Sequence, residues 1–162
     1  MDKDYRIFHI TWVTHSSRIS ARMRKYNADK KLEPTILSLE QEIEITKYIS
    51  QIVRENKIKI FIYNICCNHV HLLLFCENDK RDNIVRKMKG RSTQLYKNNH
   101  DFISEFHLWA QKYNYWTILS ENQLTSTYEY IKNNRVKHSL PKSGELERII
   151  EEMITPFDKL FD

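Results

Sequence analysis

Glycine is almost missing from this chain: 162 residues contain only Gly90 and Gly144. A phosphate-cradling loop or a dinucleotide fingerprint needs several glycines close together, so both are excluded, and ordinary nucleotide-cofactor chemistry with them. Cysteine is scarce as well. Cys66, Cys67 and Cys76 are odd in number and form no CxxC pair. That argues against a disulfide framework and leaves reduced thiols in a cytosolic protein as the expectation. No apolar run reaches the roughly 20 residues of a membrane helix, so no membrane partner is expected. The opening MDKDYRIFHITWV carries early acids and a short apolar stretch, which suits a strand better than an export signal. Repeats and low-complexity segments are also lacking.

What is present suits one domain with a real core: 41% hydrophobic residues and 29% charged ones. The net charge of +5 favours a polyanionic partner, but only where it clusters. Residues 6–14 are rich in β-branched and aromatic types and read as a first strand. A polar, basic segment over 15–36 reads as a long loop or a short exposed helix. Ser38 then precedes a helix at 39–56, where Leu39, Ile43, Ile49, Ile52 and Val53 recur at helical spacing. Residues 58–66 and 69–76 read as two antiparallel strands joined tightly at Cys67-Asn68. A second helix is expected at 80–98, a strand at 107–119, a third helix at 121–138 and a last one near 143–154. The order β-α-β-β-α-β-α predicts an α+β fold of the ferredoxin-like split type. It has a mainly antiparallel sheet, helices on one face and an appended C-terminal helix. Residues 1–140 are expected to form the main domain, with 141–162 a helical tail packed on it.

His69-Val70-His71 begins a strand. Alternate side chains share a face, so the two imidazoles point the same way and can share one metal ion. The pair alone fits hydrogen-bonded or exposed histidines equally well. A histidine-triad hydrolase would need a third histidine at position 73, which is leucine. Structural zinc would need four tight nitrogen or sulfur ligands, and no fourth is evident beside Cys67. On the third helix, Tyr130 and Asn134 are four residues apart and stack on one face, about 40° apart around the axis. An asparagine oxygen can complete a magnesium or manganese site with two histidines. A neighbouring phenol is a competent nucleophile toward phosphorus. Tyr128 points to nearly the opposite side. Spacing alone leaves Tyr130 as readily a core tyrosine.

Two basic runs tilt the balance toward nucleic acid. One holds Arg18, Arg22, Arg24 and Lys25; the other, on the second helix, holds Lys87, Lys89 and Arg91. Aromatic residues in or near basic stretches, such as Tyr115 and Trp116, are suited to stacking on unpaired bases.

Taken in order, NHVHLLL, KGRSTQLY and LWAQKYNYWTILSENQLTSTYEYIKNNRVKHSL resemble the IS200/IS605-like tyrosine transposases and their REP-associated relatives, over about residues 6–140. The resemblance implies a ferredoxin-like fold and a His-apolar-His metal motif at His69 and His71. It makes Asn134 the third ligand, Tyr130 the nucleophile and Mg²⁺ or Mn²⁺ the cofactor. It also implies single-stranded DNA beside imperfect hairpins as substrate, cut through a 5′-phosphotyrosine, in the cytoplasm at the nucleoid. A homodimer is allowed, because insertion-sequence members are dimers while REP-associated ones can act alone. The chain departs from the pattern at Cys67, where proline is common, and at Asn134-Arg135, where Asn-Pro is common. Its basic loop at 18–33 is longer than in compact members. YIKNNRVKHSL is closer to the REP-associated branch. The rival readings are a hairpin-binding protein that does not cut, and a ferredoxin-like RNA-binding domain, which would gain nothing from the histidines.

Overall fold

The structure, a computed structural model, describes residues 3–16, 35–101 and 106–160. Strand β1 (Tyr5–Val13) leads to helix α1 (Leu39–Glu55), strands β2 (Lys59–Cys66) and β3 (His69–Glu77), and helix α2 (Arg81–Asn99). Strand β4 (Asn114–Thr117), helix α3 (Glu121–Lys132), the single turn α4 (Asn134–Lys137) and helix α5 (Gly144–Met153) follow. The strands form one sheet in the order β2-β3-β1-β4, every neighbour antiparallel. This is the α+β split arrangement that the element order predicts.

Helix starts are fixed by side chains. Ser38 Oγ accepts from the Gln41 amide (3.2 Å) while Gln41 Oε1 accepts from the Ser38 amide (2.8 Å), a reciprocal cap on α1. Ser120 caps α3 and Ser143 caps α5 in the simpler way.

Alternation along the strands separates two faces. Phe8, Ile10 and Trp12 of β1 and Val70, Leu72 and Leu74 of β3 are buried in the larger core with Ile45, Ile49 and Ile52 of α1 and Val85 and Met88 of α2. Each such fully buried side chain contributes roughly 1.5–3 kcal/mol. The opposite face holds Leu73, Phe61 and Ile62, packed with Ile131, Leu124 and Tyr128 of α3. Helices α1 and α2 therefore cover one face, and the tyrosine helix lies across the other.

A bulge in β2 between Ile60 and Ile62 changes which residues face which side. Before it, Ile60 pairs with Leu74 and faces the larger core; after it, Ile62, Asn64 and Cys66 pair with Leu73, His71 and His69. Without the extra residue Asn64 and Cys66 would point away from the histidines.

Two boundaries differ from expectation. The strand expected at 107–119 pairs only over Asn114–Thr117, with an isolated bridge from Thr14 to Trp109. Between them the carbonyls of Ala110, Gln111 and Lys112 all accept from the Lys89 ammonium (2.8, 3.1 and 3.1 Å), which turns them out of any ladder. The helix expected at 121–138 is broken at Asn133, which caps α3 before α4 begins.

Candidate active site

His9 and Thr11 of β1, His69 and His71 of β3, Trp116 of β4 and Tyr130 of α3 line one open cleft of ≈ 440 Å³. The register puts Thr11 opposite His71, and His9 opposite both Leu73 and Trp116, so the cleft floor is set by strand pairing. The two imidazoles of β3 meet edge to face with centroids 4.9 Å apart. The Tyr130 ring stands perpendicular to His71 at 5.5 Å and is 41% exposed, within reach of an incoming group. Tyr128 instead packs into the second core cluster.

Asn134 is 0% exposed. Its Oδ1 lies 2.9 Å from His69 Nε2 and accepts from the Cys66 thiol at 2.8 Å. The break at Asn133 explains the contrast with Tyr130: one residue stays at the surface, the other is driven inward. Two clamps hold this geometry. Asn64 Nδ2 donates to the Ile131 carbonyl at 2.9 Å, gripping the end of α3. The Arg135 guanidinium is buried against Glu42 of α1 and also donates to the Ile65 carbonyl (2.9 Å) and the Pro141 carbonyl (2.7 Å). Burial pushes the Glu42 carboxyl up, against the opposing pull of Arg135.

Ring nitrogens in the cleft are engaged in a definite order. His69 Nδ1 lies 2.7 Å from Asn68 Oδ1, which directs Nε2 toward Asn134. His71 Nδ1 lies 3.0 Å from His9 Nε2. His9 in turn packs against Trp116 at 5.2 Å, and its burial lowers its pKa. Trp116 is 50% exposed. The Lys137 ammonium sits 4.8 Å from the Tyr130 ring centroid and places a cation beside the phenol.

Cys66, His69 and His138 also bring ligand atoms within 4.8 Å of one another. Burial pushes the Cys66 thiol up to about 12, and its hydrogen points at Asn134. A protonated thiol suits zinc poorly. The two imidazoles and the amide oxygen fit a harder divalent cation better. Cis ligands about 2.1 Å from an octahedral ion lie about 3 Å apart, the spacing that His69 Nε2 and Asn134 Oδ1 show.

The structure thus brings His69, His71, Tyr130 and Asn134 to one place. Sequence reasoning missed His9, Asn64 and Arg135. The one available signal was polar residues set inside apolar runs, His9 in RIFHITWV and Asn64 in IFIYNICC. Of the expected DNA-contacting residues, Arg18, Arg22, Arg24 and Lys25 lie outside the described residues. Lys87 and Arg91 are exposed on α2, behind the sheet as seen from the histidines. Lys89 is a correction: it is buried, and three carbonyls take its ammonium, so no strand can use it. Burial lowers its pKa to about 8.

Fold and cleft together define a class: a four-stranded antiparallel α+β domain with paired histidines on one sheet face and a tyrosine helix laid across it. The chain belongs to the IS200-like transposase family, whose pattern it matches over residues 7–134. No curated protein is significantly similar to it in sequence. Among solved structures it is similar to a REP-associated tyrosine transposase bound to a REP hairpin (TM-score 0.58, 15% identity, 86% of this chain and 72% of that one). It is also similar to a candidate transposase from Deinococcus radiodurans R1 (TM-score 0.52, 20% identity, 82% of this chain and 97% of that one). At these identities the likeness shows the fold.

Proposed function

We propose that the protein is a metal-dependent, single-strand DNA endonuclease and strand transferase of the REP-associated branch, cutting beside imperfect hairpins. The meeting of His69, His71, Asn134 and Tyr130 in one open cleft carries this reading. His69 and His71, each through Nε2, and Asn134 through Oδ1 would hold Mg²⁺ or Mn²⁺. Such a cation supplies Lewis-acid polarisation of a phosphodiester. Tyr130 Oη attacks phosphorus, forming a phosphotyrosine bond to the 5′ side of the break. The bond to the 3′ oxygen breaks, and that oxygen leaves as a hydroxyl, taking up the equivalent of the proton the phenol loses. Attack by another 3′-hydroxyl reverses the exchange, so bond energy is conserved and no nucleotide is consumed. Trp116, half exposed beside His9, is placed to stack on an unpaired base.

A denaturing gel with 3′-labelled single-stranded DNA and Mn²⁺ tests this. The expected result is an SDS-resistant adduct that Tyr130→Phe abolishes while DNA affinity stays within about threefold, since one lost phenol removes little binding. An adduct persisting in Tyr130→Phe would move the nucleophile elsewhere. Hairpin binding by the unaltered protein with no adduct under any divalent ion would favour a binding protein that does not cut.

A further inference from the structure

At the far end of the sheet from the histidines, a cleft of ≈ 530 Å³ opens between the end of α1, the start of α2 and the ends of β1 and β3. Lys57, Lys59, Lys80 and Lys87 line it, and Glu77 is the single acid among its described lining residues. That carboxylate is already engaged, 3.3 Å from the Lys3 ammonium and accepting from the Tyr5 hydroxyl at 3.2 Å. Among the described residues, none of the four lysines forms an ion pair. Lys87 donates to Asn56 Oδ1 at 3.1 Å and Lys59 to the Leu160 carbonyl, both neutral acceptors that leave the positive charge uncompensated.

One wall of the cleft is aromatic. Tyr5 is 47% exposed and stacks on Phe75 with centroids 5.3 Å apart and planes 22° apart. Ammonium groups around an exposed flat ring form the combination that holds a nucleotide: the cations take the phosphate and the ring takes the base. Phe75 lies on β3 four residues beyond His71, on the same sheet face, about 13 Å along the strand. Stacked nucleotides advance about 3.4 Å each, so a strand of roughly eight or more, engaged at Tyr130, is long enough to pass α3 and reach the cleft.

We infer that this cleft is a second nucleic-acid contact. It takes one nucleotide of the DNA strand whose scissile phosphate sits at Tyr130, with the phosphate against Lys57 and Lys80 and the base against Tyr5. The inference rests on the DNA-cutting reading above. It explains why exposed lysines gather where the histidine site has no direct use for them.

Fluorescence anisotropy with the full chain tests it, using labelled oligo-dT of 20 and of 6 nucleotides. The double variant Lys57→Gln/Lys80→Gln should bind the 20-mer about tenfold more weakly. Its slope of log affinity against log salt should be shallower by about 1.4, roughly 0.7 for each lost phosphate contact. Tyr5→Ala should weaken the 20-mer roughly tenfold through lost stacking. Neither change should alter 6-mer binding or adduct formation at Tyr130 on the 6-mer. Equal affinity and equal salt slope in wild type and variants would overturn the cleft assignment alone. Failure of the wild type to bind either oligonucleotide would overturn the DNA reading and the cleft together. Competition by dTMP that Lys57→Gln/Lys80→Gln removes, with the 20-mer gaining nothing over the 6-mer, would assign the cleft to free nucleotides instead.

Discussion

A metal-binding imidazole works only if its ring is held in one orientation with the correct nitrogen forward, and β1 provides that hold through His9. The contact between His9 Nε2 and His71 Nδ1 at 3.0 Å leaves Nε2 of His71 as the ligating atom. His9→Ala should therefore weaken Mn²⁺ binding by roughly 10- to 100-fold, the usual effect of losing such an outer partner. Titration calorimetry of the protein alone reads this, and cleavage should recover at high Mn²⁺. Unchanged Mn²⁺ affinity would show that the contact has no orienting role. The four central residues were legible because their chemistry is tied to short spacings: His-x-His along a strand, Tyr and Asn four apart on a helix. His9 was not. A single histidine in an apolar strand becomes informative only once register places it beside His71, and no local pattern encodes register between β1 and β3.

The bent segment α3–α4 is the element on which the site depends. A straight helix would have set Tyr130 and Asn134 at similar depth. The stop at Asn133 lets Asn134 sink to 0% exposure while Tyr130 stays 41% exposed. Arg135 holds the bend through Glu42 and the Ile65 and Pro141 carbonyls, which gives the Asn134-Arg135 departure from the family pattern a physical reason. Arg135→Ala strands a buried carboxylate and should lower stability by about 3–5 kcal/mol, read from urea unfolding. The double variant Glu42→Met/Arg135→Leu should lose clearly less, because no unpaired charge remains. An equal loss in both would assign the effect to packing. Element order was readable from periodicity and caps such as Ser38. The short β4 was not, because its limit is set by Lys89 reaching across from α2. The β2 bulge was hidden too, because an unbroken run of apolar residues carries no mark of which ones change face.

Across the whole molecule, the sheet separates two tasks. One face and two helices supply the core, and the other face carries the histidines, the tyrosine helix and, at its far end, the lysine-lined cleft. No helix among the described residues is long and apolar enough to cross a membrane. Two free thiols report on the integrity of this arrangement: burial pushes Cys66 up to about 12 and Cys76 up to about 11. Both should resist a thiol reagent such as DTNB at pH 8 and react only as fast as the fold opens, while the half-buried Cys67 reacts first. Three equally fast thiols would mean the core is open on the labelling timescale. Because both folded pKa values lie above those of unfolded thiols, their contribution to stability is complete below about pH 8.5 and is lost as pH rises through 11 to 12.

Electron paramagnetic resonance of the protein loaded with one equivalent of Mn²⁺ asks directly whether the four side chains share a cation. The spectrum should show couplings to imidazole nitrogens that disappear in His69→Ala and His71→Ala, with affinity reduced in Asn134→Ala and retained in Tyr130→Phe. Mn²⁺ bound with the same affinity and the same spectrum in both histidine variants would contradict it.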